Sequence, residues 1–482
     1  MVKKIQGNRG GVTIFLTLIF LITLSIIFVF LEIVRYEQAK GRVHHLVVGA
    51  VENLMADYQV ELADWYHIYA LDVNYLGQGK EVMGNRIWDY FEQNLMDYTL
   101  FGKAKGFYQF SVLDAGVQPE RYLYSSGCHA LKQQIRNWIL DTQWIGEKRI
   151  KRTKSVKKTK YIQNSLQNKK SNLKTKNGTS TEENKVSVEE ILETIDPRNA
   201  IERIKNEGIL SVVSNQYIPL SKEIKSFQSQ PSKTLVWEKE NNNLLEQAKQ
   251  KVELENYIFS HFQSALSVVR EEETLYENEI EYLLTGETSD YDCLGKVVQE
   301  LFLLRLPINL VAIKKDPAKG QQALVTAGII SAITMQPEAV DGIKNGILVA
   351  WASGESIGDI KCLLEGEKVP LIKNQQNWKV SFAQLFYLKG ASLKESKEGI
   401  DYEDYLKILL AKEKEKTIYF RMLDLIQGNI DLKYPEFKIE DCMTDYTVTA
   451  KISIDRKFFQ LPIQAGKGYQ FFVQKFGSYQ YE

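Results

Sequence analysis

Cysteine is scarce. Four residues in 482 (Cys128, Cys293, Cys362 and Cys442) stand far apart, with no Cys-x-x-Cys pair. That excludes a disulfide-stapled scaffold and a paired-cysteine zinc or redox motif. Isolated buried thiols are the plain expectation, with one or two bridges if the domain lies in an oxidising compartment. Proline (10) and glycine (30) are too few for a collagen-like or Pro-rich chain. Neither sign of charge is in excess, since 61 Lys+Arg balance 61 Asp+Glu, which argues against a globally basic nucleic-acid binder. Only five histidines occur. His44 and His45 are adjacent, so on a helix they diverge by about 100° and cannot chelate one metal as an i,i+4 pair does. No nucleophile elbow, no HExxH helix and no phosphate-binding loop is expected. The expectation is therefore no catalytic residue, no metal and no cofactor.

What is present is segregated. Lys148–Thr181 holds twelve basic residues and no acidic one, leaving 49 basic against 61 acidic residues elsewhere, or −12. Mean hydropathy is −0.28, yet the twenty residues Val12–Leu31 carry no charge. Twenty helical residues rise about 30 Å, the thickness of a bilayer's hydrocarbon core. Its polar members, Thr13, Thr17, Thr23 and Ser25, can bond back to the preceding turn. A cleaved signal is the rival reading. Its apolar core is usually shorter, and Leu31-Glu32-Ile33-Val34-Arg35 offers no small-residue cleavage site. A retained single-pass anchor in the cell membrane is expected, touching the lipid bilayer. Lys3, Lys4 and Arg9 lean its N-terminus to the cytoplasm, which leaves the large domain extracytoplasmic.

The expected fold class is α+β and predominantly helical. After the cytoplasmic tip and anchor (1–35, span 12–31) comes a membrane-proximal helical or α+β region (36–146). There an apolar stripe from Val43 to Tyr69 predicts one long amphipathic helix that needs a partner in this chain or another. Helical spacing recurs over Asn85–Tyr98 and Leu131–Ile145, strand-like spacing over Gly106–Val117. Residues 147–185 read as a basic, apolar-poor linker or insertion. A mainly helical domain spans 186–430. It includes Val186–Gly208 with an Asp196-Pro197 start signal, a long helical region Asn243–Thr285, Leu294–Val311, a buried hairpin Gln321–Met335/Pro337–Leu364 and a helix Tyr402–Ile426. In 431–482 the period changes: Tyr446, Val448, Ala450, Ile452 and Ile454 alternate with polar residues as in a half-buried strand, which Tyr469–Phe476 can pair.

Few residues invite chemistry. Glu355 and Asp359 stand at i,i+4 in an apolar helix. Such carboxylates can do acid–base work, but more often they mark a solvated face or cap a neighbour. Glu32, at the end of the apolar run with Arg35 three residues on, is either an interfacial anchor or an assembly contact between membrane subunits. The basic stretch suits an anionic lipid or envelope polymer. Tyr161 is its only aromatic, so base stacking has no support and no nucleic-acid partner is expected.

Arg9-Gly10-Gly11-Val12-Thr13 opening an apolar helix, followed by Leu31-Glu32-Ile33-Val34-Arg35 and Gly49-Ala50-Val51-Glu52-Asn53, resembles the N-terminus of TadE/TadG-like proteins. These are minor pseudopilins of Tad/Flp-type pilus assembly. The wider pattern is similar to an uncharacterised membrane-anchored family of Gram-positive bacteria linked to that machinery, through Tyr66–Asp72 (YHIYALD), Glu281–Gly286 (EYLLTG), Leu301–Asn309 (LFLLRLPIN), Trp351–Asp359 (WASGESIGD) and Tyr402–Leu410 (YEDYLKILL). The resemblance implies a non-enzymatic, pseudopilin-like membrane protein in pilus assembly or surface architecture. Its partners would be other membrane or pilus-assembly subunits or further copies of itself, and Gly10-Gly11 would be the prepilin-type processing site. Type IV pilins carry a Glu five residues past the cut; here that position is Leu16 after Gly11 or Phe15 after Gly10. The alternative is a membrane-anchored cell-envelope enzyme or sensor, with Glu355 and Asp359 the first residues to test.

Overall fold

The structure, a computed structural model, describes residues 9–95, 97–99, 102–104, 107–145, 188–214, 218, 220–238, 244–267, 273–391, 393, 398–458 and 468–479. The basic stretch 147–185 and the first eight residues lie outside them. The fold is α+β and mostly helical, with a long N-terminal apolar helix and a small antiparallel sheet. The chain divides into two compact units: residues 1–137, 237–240 and 434–482 form the first, and 138–236 with 241–433 the second.

In the first unit, helix α1 (Arg9–Met55) carries two different surfaces. Its first half is apolar on every side and exposed from Val12 to Leu31. There the hydroxyls of Thr17, Thr23 and Ser25 donate to the carbonyls of Ile14, Ile19 and Leu21, so no polar group faces outward unsatisfied. In the second half Ala39, Val43, Val47, Ala50, Val51 and Leu54 line one buried stripe. Its partner lies within this chain. The stripe packs on a sheet whose central strand, β5 (Cys442–Ile454), pairs with β4 (Phe110–Tyr122) along one edge and with β1 (Leu71–Asp72) and then β6 (Tyr469–Ser478) along the other, all antiparallel. The Tyr446 and Tyr479 hydroxyls donate to the Val51 and Leu54 carbonyls at 3.0 and 3.1 Å, fixing the helix along the sheet. β4 is an edge strand, and the ladder shifts register just after Pro119, the setting in which a strand tolerates proline. This unit also holds α2 (Val60–Tyr66), α3 (Glu81–Leu95) and the hairpin β2 (Asp97–Thr99) and β3 (Gly102–Ala104).

The expected helix through Tyr69 does not hold as one piece. α1 stops at Met55 and the chain restarts as α2, because Gln59 N–H turns to donate to the Ala70 carbonyl at 2.9 Å and His67 adopts a left-handed backbone, φ 54°. α4 (Ser125–Ile145) covers the helical spacing read over Leu131–Ile145.

The second unit is helical. α5 (Val188–Ile195) and α6 (Pro197–Glu207) meet at Asp196, whose carboxylate accepts from Arg198 N–H as an N-cap. The long region expected over Asn243–Thr285 is instead two helices, α7 (Leu244–His261) and α8 (Glu279–Thr285). The chain folds back between them because the Glu279 and Glu281 carboxylates accept the backbone N–H groups of Gln263 and Ala265, at 2.8 and 3.0 Å. α9 (Asp290–Lys314), α10 (Pro317–Thr334) and α11 (Val340–Leu364) pack together as the expected buried hairpin and its neighbour. The helix expected over Tyr402–Ile426 is broken at Glu413 into α12 (Tyr402–Lys412) and α13 (Glu415–Asp431). Among the described residues α1 is the one helix long and apolar enough to cross a membrane.

Candidate functional site

Glu32 and Arg35 sit on the turn of α1 where the apolar run ends, and both are buried. Arg35 Nη1 lies 3.2 Å from Glu32 Oε1. The guanidinium also donates to the carbonyls of Asp455 and Tyr108, each at 2.7 Å. Glu32 Oε2 in turn accepts from the N–H groups of Lys457 and Phe458, at 3.4 and 3.0 Å. The pair therefore clamps two loop tips, one before β4 and one after β5, to the end of the apolar helix. The backbone partners that hold this charged pair stand more than seventy and four hundred residues away in the sequence. Gly10 and Gly11 lie in the first turn of α1. His44 and His45 are exposed on its far half.

In the second unit, Glu355 and Asp359 overturn the expectation of a solvated face, because both are fully buried. They form a closed four-charge network. Arg305 donates to Asp359 Oδ2 through Nε (3.1 Å) and Nη2 (2.9 Å), and to the Tyr405 hydroxyl at 3.0 Å. Lys373 Nζ reaches Glu355 at 2.5 Å and Asp359 at 2.6 Å. Glu355 also accepts from Lys379 and Val380 N–H, so it caps the neighbouring segment. Burial holds the Glu355 carboxyl above the usual carboxylate range against the opposing pull of Lys373. Two acids and two bases thus neutralise one another and tie α9, α11 and α12 to residues 371–380. Sequence reading passed over one pattern here. Gly354-Glu355-Ser356-Ile357-Gly358 has GxSxG spacing, but it lies mid-helix rather than on a strand-to-helix turn. The Ser356 hydroxyl is buried, donating to Ala352 O and accepting from Asn309 Nδ2.

A second buried polar group surrounds α8. Glu281 Oε1 accepts from Ala265 N–H and, at 2.8 Å, from the Tyr402 hydroxyl. Asp424 accepts from Ser232 N–H and the Tyr282 hydroxyl, and Arg421 donates to the last carbonyls of the helix, Leu283, Leu284 and Thr285. Burial, opposed by those hydrogen bonds, raises Glu281 to about 7. The segments EYLLTG, LFLLRLPIN, WASGESIGD and YEDYLKILL therefore meet through Glu281–Tyr402, Arg305–Asp359 and Arg305–Tyr405. An Arg inside an apolar helix was the visible signal for this network; Lys373, in a loop, gave none.

All four cysteines are buried and none forms a disulfide. Burial pushes the Cys293 and Cys362 thiols up to about 12, far from reactive thiolates. Among the described residues no group of three or more His, Cys, Asp or Glu is placed to hold a metal ion.

The model of a family of unknown function (DUF5702) matches residues 186–454, more than half of the chain. No curated protein and no solved structure matches.

Proposed function

Because the chain belongs to the DUF5702 family, a family of unknown function, we propose its role from its own residues: a non-enzymatic, single-pass, pseudopilin-like membrane protein serving Tad/Flp-type pilus assembly or cell-surface architecture. The observation that carries this reading is α1, exposed and apolar from Val12 to Leu31 and then built into the sheet core. Leaving that many large apolar side chains in water forfeits roughly 20 kcal/mol or more, so lipid or neighbouring helices cover them. The N-terminus is cytoplasmic and the chain beyond the span extracytoplasmic, following the positive-inside leaning of Lys3, Lys4 and Arg9. Val12–Leu31 associates with other membrane or pilus-assembly subunits or with further copies of the chain. Glu32 and Arg35 set the depth from which those contacts are made, and Gly10-Gly11 is where prepilin-type processing would act. The basic stretch is the contact for an anionic envelope polymer.

Copurification of Tad-type subunits with the tagged chain is the expected result, and its loss when Val12–Leu31 is exchanged for an unrelated span. Retention of the same complexes after the exchange would rule out the helix contact. Sidedness is read by an impermeant thiol reagent on a cysteine engineered into Lys148–Thr181, with the four buried native cysteines as a quiet background. Labelling only after the cells are opened would place that segment in the cytoplasm and reverse the topology.

A further inference from the structure

Resting on the anchor reading, we propose that the first unit touches the bilayer a second time, through a collar of two loop tips, residues 107–108 and 457–458, seated at the boundary between lipid headgroups and acyl chains.

Depth along α1 supplies the argument. The apolar run ends at Leu31, and Glu32 and Arg35 pin both tips there through the backbone of Tyr108, Asp455, Lys457 and Phe458. From that clamp the side chains reach back along the span. The Phe458 ring stacks on Phe28, centroids 6.4 Å apart and 12° from parallel. Phe28 lies three residues inside the apolar run, about 4.5 Å along the helix axis. Phe458 therefore sits at the depth of the last turn of the span. Phe107 packs against Phe458 at 5.9 Å and is 46% exposed. Lys457 Nζ lies 4.4 Å over the Phe107 ring.

Aromatic rings flanked by a lysine, level with the end of an apolar helix, suit the amphipathic boundary of a bilayer. The rings enter the acyl edge while the ammonium reaches phosphate. The surface is continuous with the exposed Phe28, Phe30 and Leu31, so whatever covers the helix also covers the collar, and a lipid matrix covers both without a shaped partner. A helix with a loosely tethered domain would have no reason to hold both loops by a buried ion pair at this level.

The test uses the full chain in nanodiscs of mixed zwitterionic and anionic lipid. Spin labels are placed singly by Phe107→Cys, Phe458→Cys, Leu21→Cys within the span and Lys475→Cys on the sheet end away from it. Collision with oxygen (lipid) and a nickel chelate (water) gives the depth of each. The Leu21 label should read deep in lipid, the Lys475 label in water, and the Phe107 and Phe458 labels between them at headgroup depth. Phe107 and Phe458 labels that match the Lys475 label, with the Leu21 label in lipid, overturn the collar and leave the anchor standing. A Leu21 label in water overturns both. Labels at Phe107 and Phe458 shielded from both agents indicate a protein covering and overturn the lipid assignment. On the unaltered chain, a photoactivatable phospholipid should leave adducts at 107–108 and 457–458 as well as in Val12–Leu31. Adducts confined to the span count against the collar even if a cysteine variant folds poorly.

Discussion

The guanidinium of Arg35 joins three parts of the chain that sequence alone keeps apart: Glu32 beside it, the Tyr108 turn and the Asp455 turn. Removing it strands a buried carboxylate with only two backbone donors, and breaking a buried pair by deleting one partner costs about 3–5 kcal/mol. Arg35→Ala is expected to destabilise the first unit by that amount, and so is Glu32→Gln, whose amide NH2 must face either the guanidinium or the Lys457 and Phe458 N–H donors and leaves Arg35 without its counter-charge. Faster hydrogen exchange in β5 and β6, measured in detergent, checks this; equal protection in both variants and the parent would show that the clamp is dispensable. Glu281 makes a different prediction, in pH. Its folded-state value, about 7, lies above its ordinary 4.5 because burial disfavours the charged form. Between those values the folded chain keeps a proton that the unfolded chain has lost. The stabilisation is complete below about 4.5 and is lost as pH rises through 7, by about 3 kcal/mol. Glu281→Gln should flatten this decline in a thermal-unfolding series from pH 5 to 8. A slope unchanged by the substitution would locate the titration elsewhere.

Elements were legible where a period reports a face and illegible where a distant side chain decides. The alternation of Tyr446–Ile454 marked β5 as half-buried, and the Val43–Leu54 stripe marked the buried side of α1, since each pattern is set by neighbouring residues. That Ala115 pairs with Ala450 across the sheet left no local trace, nor did the partner of the stripe. The breaks after His261 and at Glu413 carry no Pro or Gly. The first is made by the Glu279 and Glu281 carboxylates, sixteen residues on, so helical spacing ran through it unseen. The same logic separates two glycines of similar helical setting. A methyl group on Gly354 of α11 would strike Leu385, whereas one on Gly328 of α10 meets nothing within 4 Å. Gly354→Ala is therefore expected to destabilise the second unit by about 1–3 kcal/mol through overpacking, outweighing the gain in helix propensity. Gly328→Ala should stabilise it by up to about 1 kcal/mol. Melting temperatures moving in opposite directions support this packing; a shift of the same sign in both would mean that the α11 contact with Leu385 yields freely.

At the scale of the whole molecule, the balance of 61 basic and 61 acidic residues is a sum over unlike parts. An uncharged span, a segment of +12 and a remainder of −12 add to zero, so net charge governs neither solubility nor attraction locally. A polyanion within a Debye length, about 10 Å at 0.1 M salt, meets the segment and not the average. The detergent-solubilised chain should therefore bind immobilised polyphosphate at low salt despite its neutrality and be released as salt shortens the screening length. Deletion of Lys148–Thr181 leaves −12 and should abolish retention. It should not change the hydrogen exchange of either unit. Retention that survives the deletion would move the anionic contact onto the folded units, whose excess acid makes them the poorer host. Loss of retention accompanied by loss of protection in the units would show instead that the segment supports the fold, and the polymer contact would have to be sought by charge-neutralising substitutions within it.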